Sequence, residues 1–318
     1  MDVLSDVVAV TRTGRPRSAH VRWHAPWGQE FASVPGSAGF QVILQGSCWL
    51  LPPHAEPIQL GTGDVVFLPH GSGHTLADSP ESLATAPACG PDDHQPYDAY
   101  ASDSVDRSGG GGPVTVVLCG AYQLDPSRTH PLLLTLPDLI HLPAHPGRHP
   151  ELRSAVRLLA AELESPHLGT DAIVPALLDT LLLYILRIWF KERPDRGGIT
   201  GWAAALNDPP VTAALHAIHR DPATPWTVAK LAAEGGLSRA PFARRFALLV
   251  GQPPLGYLTW WRMTTAARLL RASDAPLRTI AAQVGYTSEF AFANAFKRTH
   301  GTAPGGYRRS NSPAAYGR

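Results

Sequence analysis

Two stretches of this 318-residue chain carry side chains spaced as a surface for reading a polyanion would need them. TVAKLAAEGGLSRAPFARRFALLVG (227–251) and LRTIAAQVGYTSEFAFANAFKRTHG (277–301) share one layout. In each, a helix with a Leu/Ile-Ala-Ala core ends at glycine (Gly235, Gly285), and a short turn leads to serine (Ser238, Ser288). A second helix then places Phe at the fourth and eighth positions after that serine. The glycine supplies a positive-φ stop, and the serine oxygen accepts from orphan N–H groups of the second helix. Phe242 with Phe246, and Phe292 with Phe296, sit one turn apart and bury an inner face. The opposite face is free to enter a groove. Its positions near the N-terminus are Arg239, Ala240, Ala243 and Arg244 in the first copy, and Glu289, Phe290, Ala293 and Asn294 in the second. Arg pairs bidentately with guanine, Asn with adenine, and Ala offers a methyl contact to thymine; Glu289 either accepts from cytosine or complements the helix N-terminus. Arg245, Lys297, Arg298, Arg308 and Arg309 are assigned to phosphates, which give affinity without sequence information. One copy would be an ordinary helical hairpin. Two copies, with equivalent serines 50 residues apart, point to DNA.

The charge distribution agrees. The net charge is only +1, but residues 211–310 hold 13 Lys+Arg against 4 Asp+Glu. That leaves 14 of the 27 basic and 22 of the 26 acidic residues elsewhere. A basic carboxyl-terminal module beside an acidic body fits a polyanionic partner. A hydrophobic content of 44% and a charged content of 17% are those of a globular protein. The length suits two domains. No secretory signal is seen in MDVLSDVVAVTRTGRPR. The longest apolar run, from Ala172 to Phe190, contains Pro175, Asp179 and Arg187, which argues for a buried amphipathic helix over a membrane crossing. Three cysteines (Cys48, Cys89, Cys119), odd in number and without paired spacing, imply a reducing cytoplasm and no disulfide framework.

The elements that must position these residues change character along the chain. From about 5 to 125, short Val/Ile/Leu/Phe runs alternate with Gly, Pro, Asp and Ser, the pattern of a β-sandwich or barrel. GFQVILQGSCWLL (39–51), IQLGTGDVVFLP (58–69) and VTVVLCGAYQL (114–124) are its clearest strands. The stretch 101–112, ending in four glycines, reads as a mobile loop. After Pro150 the period becomes helical: Leu152, Val156, Leu159 and Leu163 share a face. A long helix over 171–191, apolar on most sides, needs several partners and is expected to form a dimer contact. Residues 193–201 read as a linker. Helices are expected at 211–219, 227–234, 239–250, 255–272, 277–284, 289–299 and 304–308, a compact all-α domain.

IAAQVGYTSEFAFANAFKRTHGTAPGGYRR (280–309) closely resembles the second helix-turn-helix signature of the AraC/XylS transcription regulators. The first unit, WWRMTTAARLL (260–270), Pro304 and Tyr307-Arg308 extend the resemblance over 205–309. It implies double-stranded DNA as the partner, with a linking helix holding two recognition helices about one duplex turn apart on one face. RNA polymerase is a further partner it admits. Pro241 departs from the pattern; it is tolerated in the first turn, where an N–H has no intrahelical acceptor.

GDVVFLPHGSGHTLAD (63–78) resembles the second half of a cupin signature, and 39–51, 119–125 and 132–143 resemble the sensor domain on a branch of the same regulators, over about 5–143. The implied architecture is α+β and multidomain. It comprises a cupin-like β-barrel sensor (1–145), a helical linker or dimerisation segment (146–200) and a DNA-binding domain with two helix-turn-helix units (205–310). Metal-holding cupins use His-x-His, which is missing here, and Gln41 stands where this branch often has His; an amide is a poor ligand. His74 is therefore expected to line a pocket or serve structure, and no metal or other cofactor is implied. His20, His24, His54 and His70 are loose metal candidates elsewhere. Cys89, in a loop, and Cys119, in a strand, are candidates for oxidant sensing, with a buried inert thiol the alternative for Cys119. The expectation is a cytoplasmic homodimer and no enzyme, answering to an unknown small-molecule or oxidant effector. Whether it activates or represses is not legible. The alternative readings are a metal-dependent cupin enzyme with a DNA-binding tail and a nucleoid-associated protein.

Overall fold

The computed structural model describes residues 2–11, 17–84, 88, 103–107, 111–123, 130–192 and 201–310. Among the described residues, ten strands lie in two sheets. Strands β1 (Arg17–His24), β3 (Ser37–Gln45), β6 (Val65–Leu68), β8 (Asp103–Arg107), β9 (Val114–Gln123) and β10 (Ile140–Leu142) form one, in the order β10-β6-β3-β9-β1-β8. Strands β2 (Gly28–Phe31), β4 (Ser47–Leu51), β5 (Ile58–Gly61) and β7 (His74–Ala77) form the other, in the order β2-β7-β4-β5. All pairings are antiparallel except β1 with β8. One core joins them: Val21, Trp23, Ile43, Val66, Leu68 and Val117 from the first sheet meet Cys48, Leu50, Leu60 and Leu76 from the second.

The sheets correct three expectations. The run 39–51 is two strands, because Gly46 turns at φ +76 and sends β4 into the opposite sheet. A Cβ there would lie 2.4 Å from the Val114 carbonyl oxygen, so only glycine fits. The run 58–69 divides in the same way into β5 and β6. Residues 103–107, read as loop, pair with β1 through the register Ala19↔Asp103 to Trp23↔Arg107.

The helices are α1 (Val3–Thr11), α2 (Pro131–Leu134), α3 (Pro150–Glu164), α4 (Thr170–Glu192), α5 (Trp202–Leu206), α6 (Pro209–Arg220), α7 (Val228–Glu234), α8 (Arg239–Val250), α9 (Pro254–Ala272), α10 (Leu277–Gln283), α11 (Glu289–His300) and α12 (Pro304–Ser310). The valine-rich start, expected to join the strands, is helical. Asp2 accepts from the Ser5 N–H (3.1 Å), and Val3, Val7 and Val8 are buried on one face. Tertiary burial at a spacing of four overrides the β preference of valine. The expected face of α3 is buried as read, with Leu152, Val156, Leu159 and Leu163 inside.

By contacts the chain divides into two units. The first comprises residues 1–11, 127–135 and 193–318; the second comprises 12–126 and 136–192. Helices α3 and α4 thus belong with the sheets, while α1 and α2 belong with the helical unit. Boundaries drawn at single points along the chain cannot express that exchange. Helix α4 spans 23 residues and is long and apolar enough to cross a membrane by length and composition. Its inner residues Val174, Leu178, Leu181, Ile185 and Leu186 are instead packed in this unit, in part against α3. Of the expected linker, 193–201, only Gly201 falls within the described residues.

Candidate nucleic-acid interface

Each helix-turn-helix is built outward from a buried aromatic pair. The rings of Phe242 and Phe246 lie 5.6 Å apart at 53°, and those of Phe292 and Phe296 lie 5.8 Å apart at 53°. All four are fully buried. Both turns close by the same pair of backbone bonds at the end of the first helix. Leu237 and Gly236 donate to Ala232 and Ala233, and Tyr286 and Gly285 donate to Ala281 and Ala282. This is a helix stop with the left-handed residue at Gly236 (φ +68) and Gly285 (φ +81).

In the first unit, then, the positive-φ stop is Gly236, not Gly235 as read from sequence. Gly235 has φ −94 and is required for another reason: a Cβ there would lie 2.6 Å from the Pro210 carbonyl oxygen. The capping expectation also divides. The Ser288 oxygen accepts from the Ala291 N–H at 3.3 Å, whereas the Ser238 side chain makes no cap bond. The donor three residues after Ser238 would be Pro241, which has no N–H.

The two faces left outward match the sequence reading. Arg239, Ala240, Arg244, Glu289 and Asn294 are exposed, Ala243 and Ala293 are half-buried, and Phe290 is 77% exposed. Lys297, Arg298 and Arg309 are exposed as well. Two residues assigned to phosphates are engaged within the protein. Arg245 donates through Nε to Asp208 Oδ2 at 2.6 Å and pairs with it again through Nη2. The buried Asp208 also caps α6 by accepting from the Val211 N–H (3.1 Å), so the pair ties α6 to α8. Arg308 donates to the Ala275 carbonyl at 2.5 Å. A residue that sequence reasoning missed, Arg262 on α9, joins the two halves. It donates to the carbonyls of Pro222 (2.7 Å) and Thr224 (2.9 Å), and its guanidinium lies 6.0 Å from the centre of the Tyr286 ring. Nothing in the spacing of Arg262 marks it. Asp208 could have been found, since Asp before Pro-Pro is a helix-start signal.

Three of the sensor candidates, Gln41, His74 and Cys119, are buried in the sheet region. Gln41 on β3 stands opposite Cys119 on β9 and Val66 on β6. His74 packs flat on Phe31, with ring centroids 4.7 Å apart. Its Nδ1 lies 3.3 Å from the Ser72 carbonyl and its Nε2 lies 3.1 Å from Gln41 Nε2. A carbonyl can only accept, so Nδ1 carries the proton and Nε2 accepts from the amide. That lone pair is thereby unavailable to a metal. Burial pushes the His74 pKa down to about 4. Among the described residues, no group of three or more His, Cys, Asp or Glu is placed to hold a metal, and His20, His24, His54 and His70 are not brought together. Cys119 is buried. Burial, with the nearby Asp64 charge, pushes the Cys48 thiol up to about 12 and keeps it protonated. Cys89 lies outside the described residues.

Residues 2–191 match the family model described as a cupin, and residues 231–310 match the one described as a helix-turn-helix domain. The chain is 35% identical to an AraC-like transcription regulator of Streptomyces antibioticus, over 98% of this chain and 100% of that one. It is 36% identical to an AraC-like transcription regulator of Streptomyces lividans, over 97% and 98%. The DNA-binding domain of AdpA, solved in complex with a target DNA, is 34% identical over 32% of this chain and 92% of that one, with a TM-score of 0.31.

Proposed function

The chain belongs to the AraC-like, DNA-binding transcription regulators, with a cupin domain before the helix-turn-helix domain, and from that premise we propose how it reads DNA and what governs it. Helices α8 and α11 enter successive major grooves. Arg239, Ala240, Ala243 and Arg244 contact bases of one half-element, and Glu289, Phe290, Ala293 and Asn294 contact bases of the other. Lys297, Arg298 and Arg309 hold phosphates. The observation that carries this reading is the pair of matched recognition helices whose outward side chains, Arg239, Arg244 and Asn294 among them, have no hydrogen-bond or ion-pair partner among the described residues. The 19-residue α9 between them spans about 28 Å at 1.5 Å per residue, close to one duplex turn. Selection from a random duplex pool by the full chain is expected to enrich a motif of two elements centred about 10 base pairs apart. Recovery of no motif, or of a single element, refutes the reading.

The regulated state is proposed to be a cytoplasmic homodimer whose N-terminal domain answers to a small-molecule or oxidant effector and whose DNA-bound form engages RNA polymerase. The dimer reading is supported by α3 and α4, which leave Leu158 and Ile173 exposed. Leu158 lines an open groove of about 370 Å³ between the two helices, with Ala155, Leu177 and Tyr184 beside the polar Glu151, Ser154 and Thr180. Sedimentation of Leu158→Glu should show monomer where the unsubstituted chain shows dimer. Gln41, His74 and Cys119 are the residues proposed to respond in the core, and Cys89 is a further thiol to test. An unaltered oxidant response in Cys89→Ser removes that thiol from the scheme.

A further inference from the structure

The helical unit contains a buried polar chain that DNA reading does not use. His130 Nδ1 accepts from the Leu132 N–H at 2.9 Å, capping α2, so the proton sits on Nε2. Nε2 donates to the Tyr257 hydroxyl oxygen at 3.0 Å. That hydroxyl in turn donates to His219 Nε2 at 2.6 Å. His219 Nδ1 then donates to the Asp6 carboxylate at 3.3 Å. Each link fixes the direction of the next, so the chain has one consistent arrangement of protons. His130 and Tyr257 are fully buried, and His219 is packed flat on Trp261 with centroids 3.7 Å apart. Trp202 and Trp260 stand edge-on against His130.

The placement of the four groups gives the chain a purpose beyond packing. Tyr257 lies near the start of α9, beside Phe246 of α8 at 6.0 Å between ring centroids, and His219 lies at the end of α6. Asp6 and His130 come from α1 and from the cap of α2, the two pieces of chain that precede and follow strands β1–β9 in sequence. The two pieces of chain that flank this sheet-forming segment are therefore pinned within the helical unit, His130 to Tyr257 on α9 and Asp6 to His219 on α6. A buried polar network of this kind specifies one arrangement, because every partial break leaves a desolvated donor or acceptor.

We propose that the His130–Tyr257–His219–Asp6 chain is a latch: closed, it holds α1 and α2 against α6 and α9 and keeps the first recognition helix in its DNA-competent place; open, it lowers DNA affinity. The proposal rests on DNA binding by this unit and on no particular effector. A closed latch removes from the binding step the cost of ordering α6, α8 and α9. By linkage, DNA then favours the closed latch in equal measure.

The test uses the full chain and a short duplex enriched by it from a random pool. Tyr257→Phe keeps the ring and removes the shared hydroxyl. It is expected to weaken that duplex about tenfold while leaving the dependence of log Kd on log salt unchanged, since no phosphate contact is lost. Amide exchange in residues 3–9 and 131–135 should quicken in the variant, and in the unsubstituted chain it should slow when duplex is added. Asp6→Ala, at the outer end of the chain, should weaken binding in the same sense and serves if Tyr257→Phe does not fold. Unchanged affinity in the variant overturns the latch. So does a reduced salt dependence, which would place the effect on phosphate contacts, and so does an exchange rate in the two arms that ignores DNA.

Discussion

The two helix-turn-helix units differ in their outward residues far more than in their inward ones. Their aromatic pairs agree to 0.2 Å and show the same 53° angle, and their first helices stop by the same two backbone bonds. Outside, one presents two arginines and two alanines, the other a carboxylate, an exposed phenylalanine, an alanine and an amide. Close packing permits few solutions on the inner face, while an exposed face is constrained only by what it must touch. The difference teaches that one scaffold has been used twice to present two chemistries. The capping of the second helix marks where the copies part: Ser288 caps, while Ser238 faces Pro241 and cannot.

The largest test of that equivalence is removal of the aromatic pair. Phe242→Ala and Phe292→Ala should each cost about 3–5 kcal/mol in denaturant unfolding. A gap between them well above about 1 kcal/mol would break the claim that the inner faces are alike. The outer faces should separate next. Arg244→Ala is expected to weaken the enriched duplex by about 1–3 kcal/mol and to relax preference in one element only. Asn294→Ala should relax preference in the other. Repeating the selection with each variant locates the loss, and a loss spread over both elements would undo the assignment. Arg298→Ala should weaken all duplexes alike and lower the salt slope by about 1. Arg245→Ala should lower stability, because Asp208 loses its partner, and leave the slope intact. If the slope falls, Arg245 returns to the phosphates. The smallest effect is the cap: Ser288→Ala should cost about 1 kcal/mol and Ser238→Ala close to nothing. Equal losses in thermal melts would show that the two caps do not differ.

Much of the helical unit was legible because its information is local. Periodicity placed α8 at 239–250 to the residue, and α6, α7, α9, α10, α11 and α12 within two residues. The glycine stop was legible as a feature but not as a position, since Gly235 and Gly236 are adjacent and only the backbone tells which one turns. The sheet region was less legible. Gly46 looks like any strand glycine until β4 is seen to cross to the other sheet. Residues 103–107, rich in Asp and Ser, become a strand only because β1 offers them a partner. The missing cap is legible in the sequence, since Ser-x-x-Pro already removes the donor.

The amino-acid sequence by itself determined the repeated hairpin, which side chains its second helices turn outward and its basic charge, because helix period, turn chemistry and side-chain type act over a few residues. Only the tertiary structure decided which arginines are free. Arg244 and Arg245 are neighbours of one type, yet a helical step turns one to solvent and the other onto Asp208, 37 residues away. It alone also brought Asp6 to His219 across 213 residues. Such meetings depend on how distant elements pack, and no window of local sequence contains that.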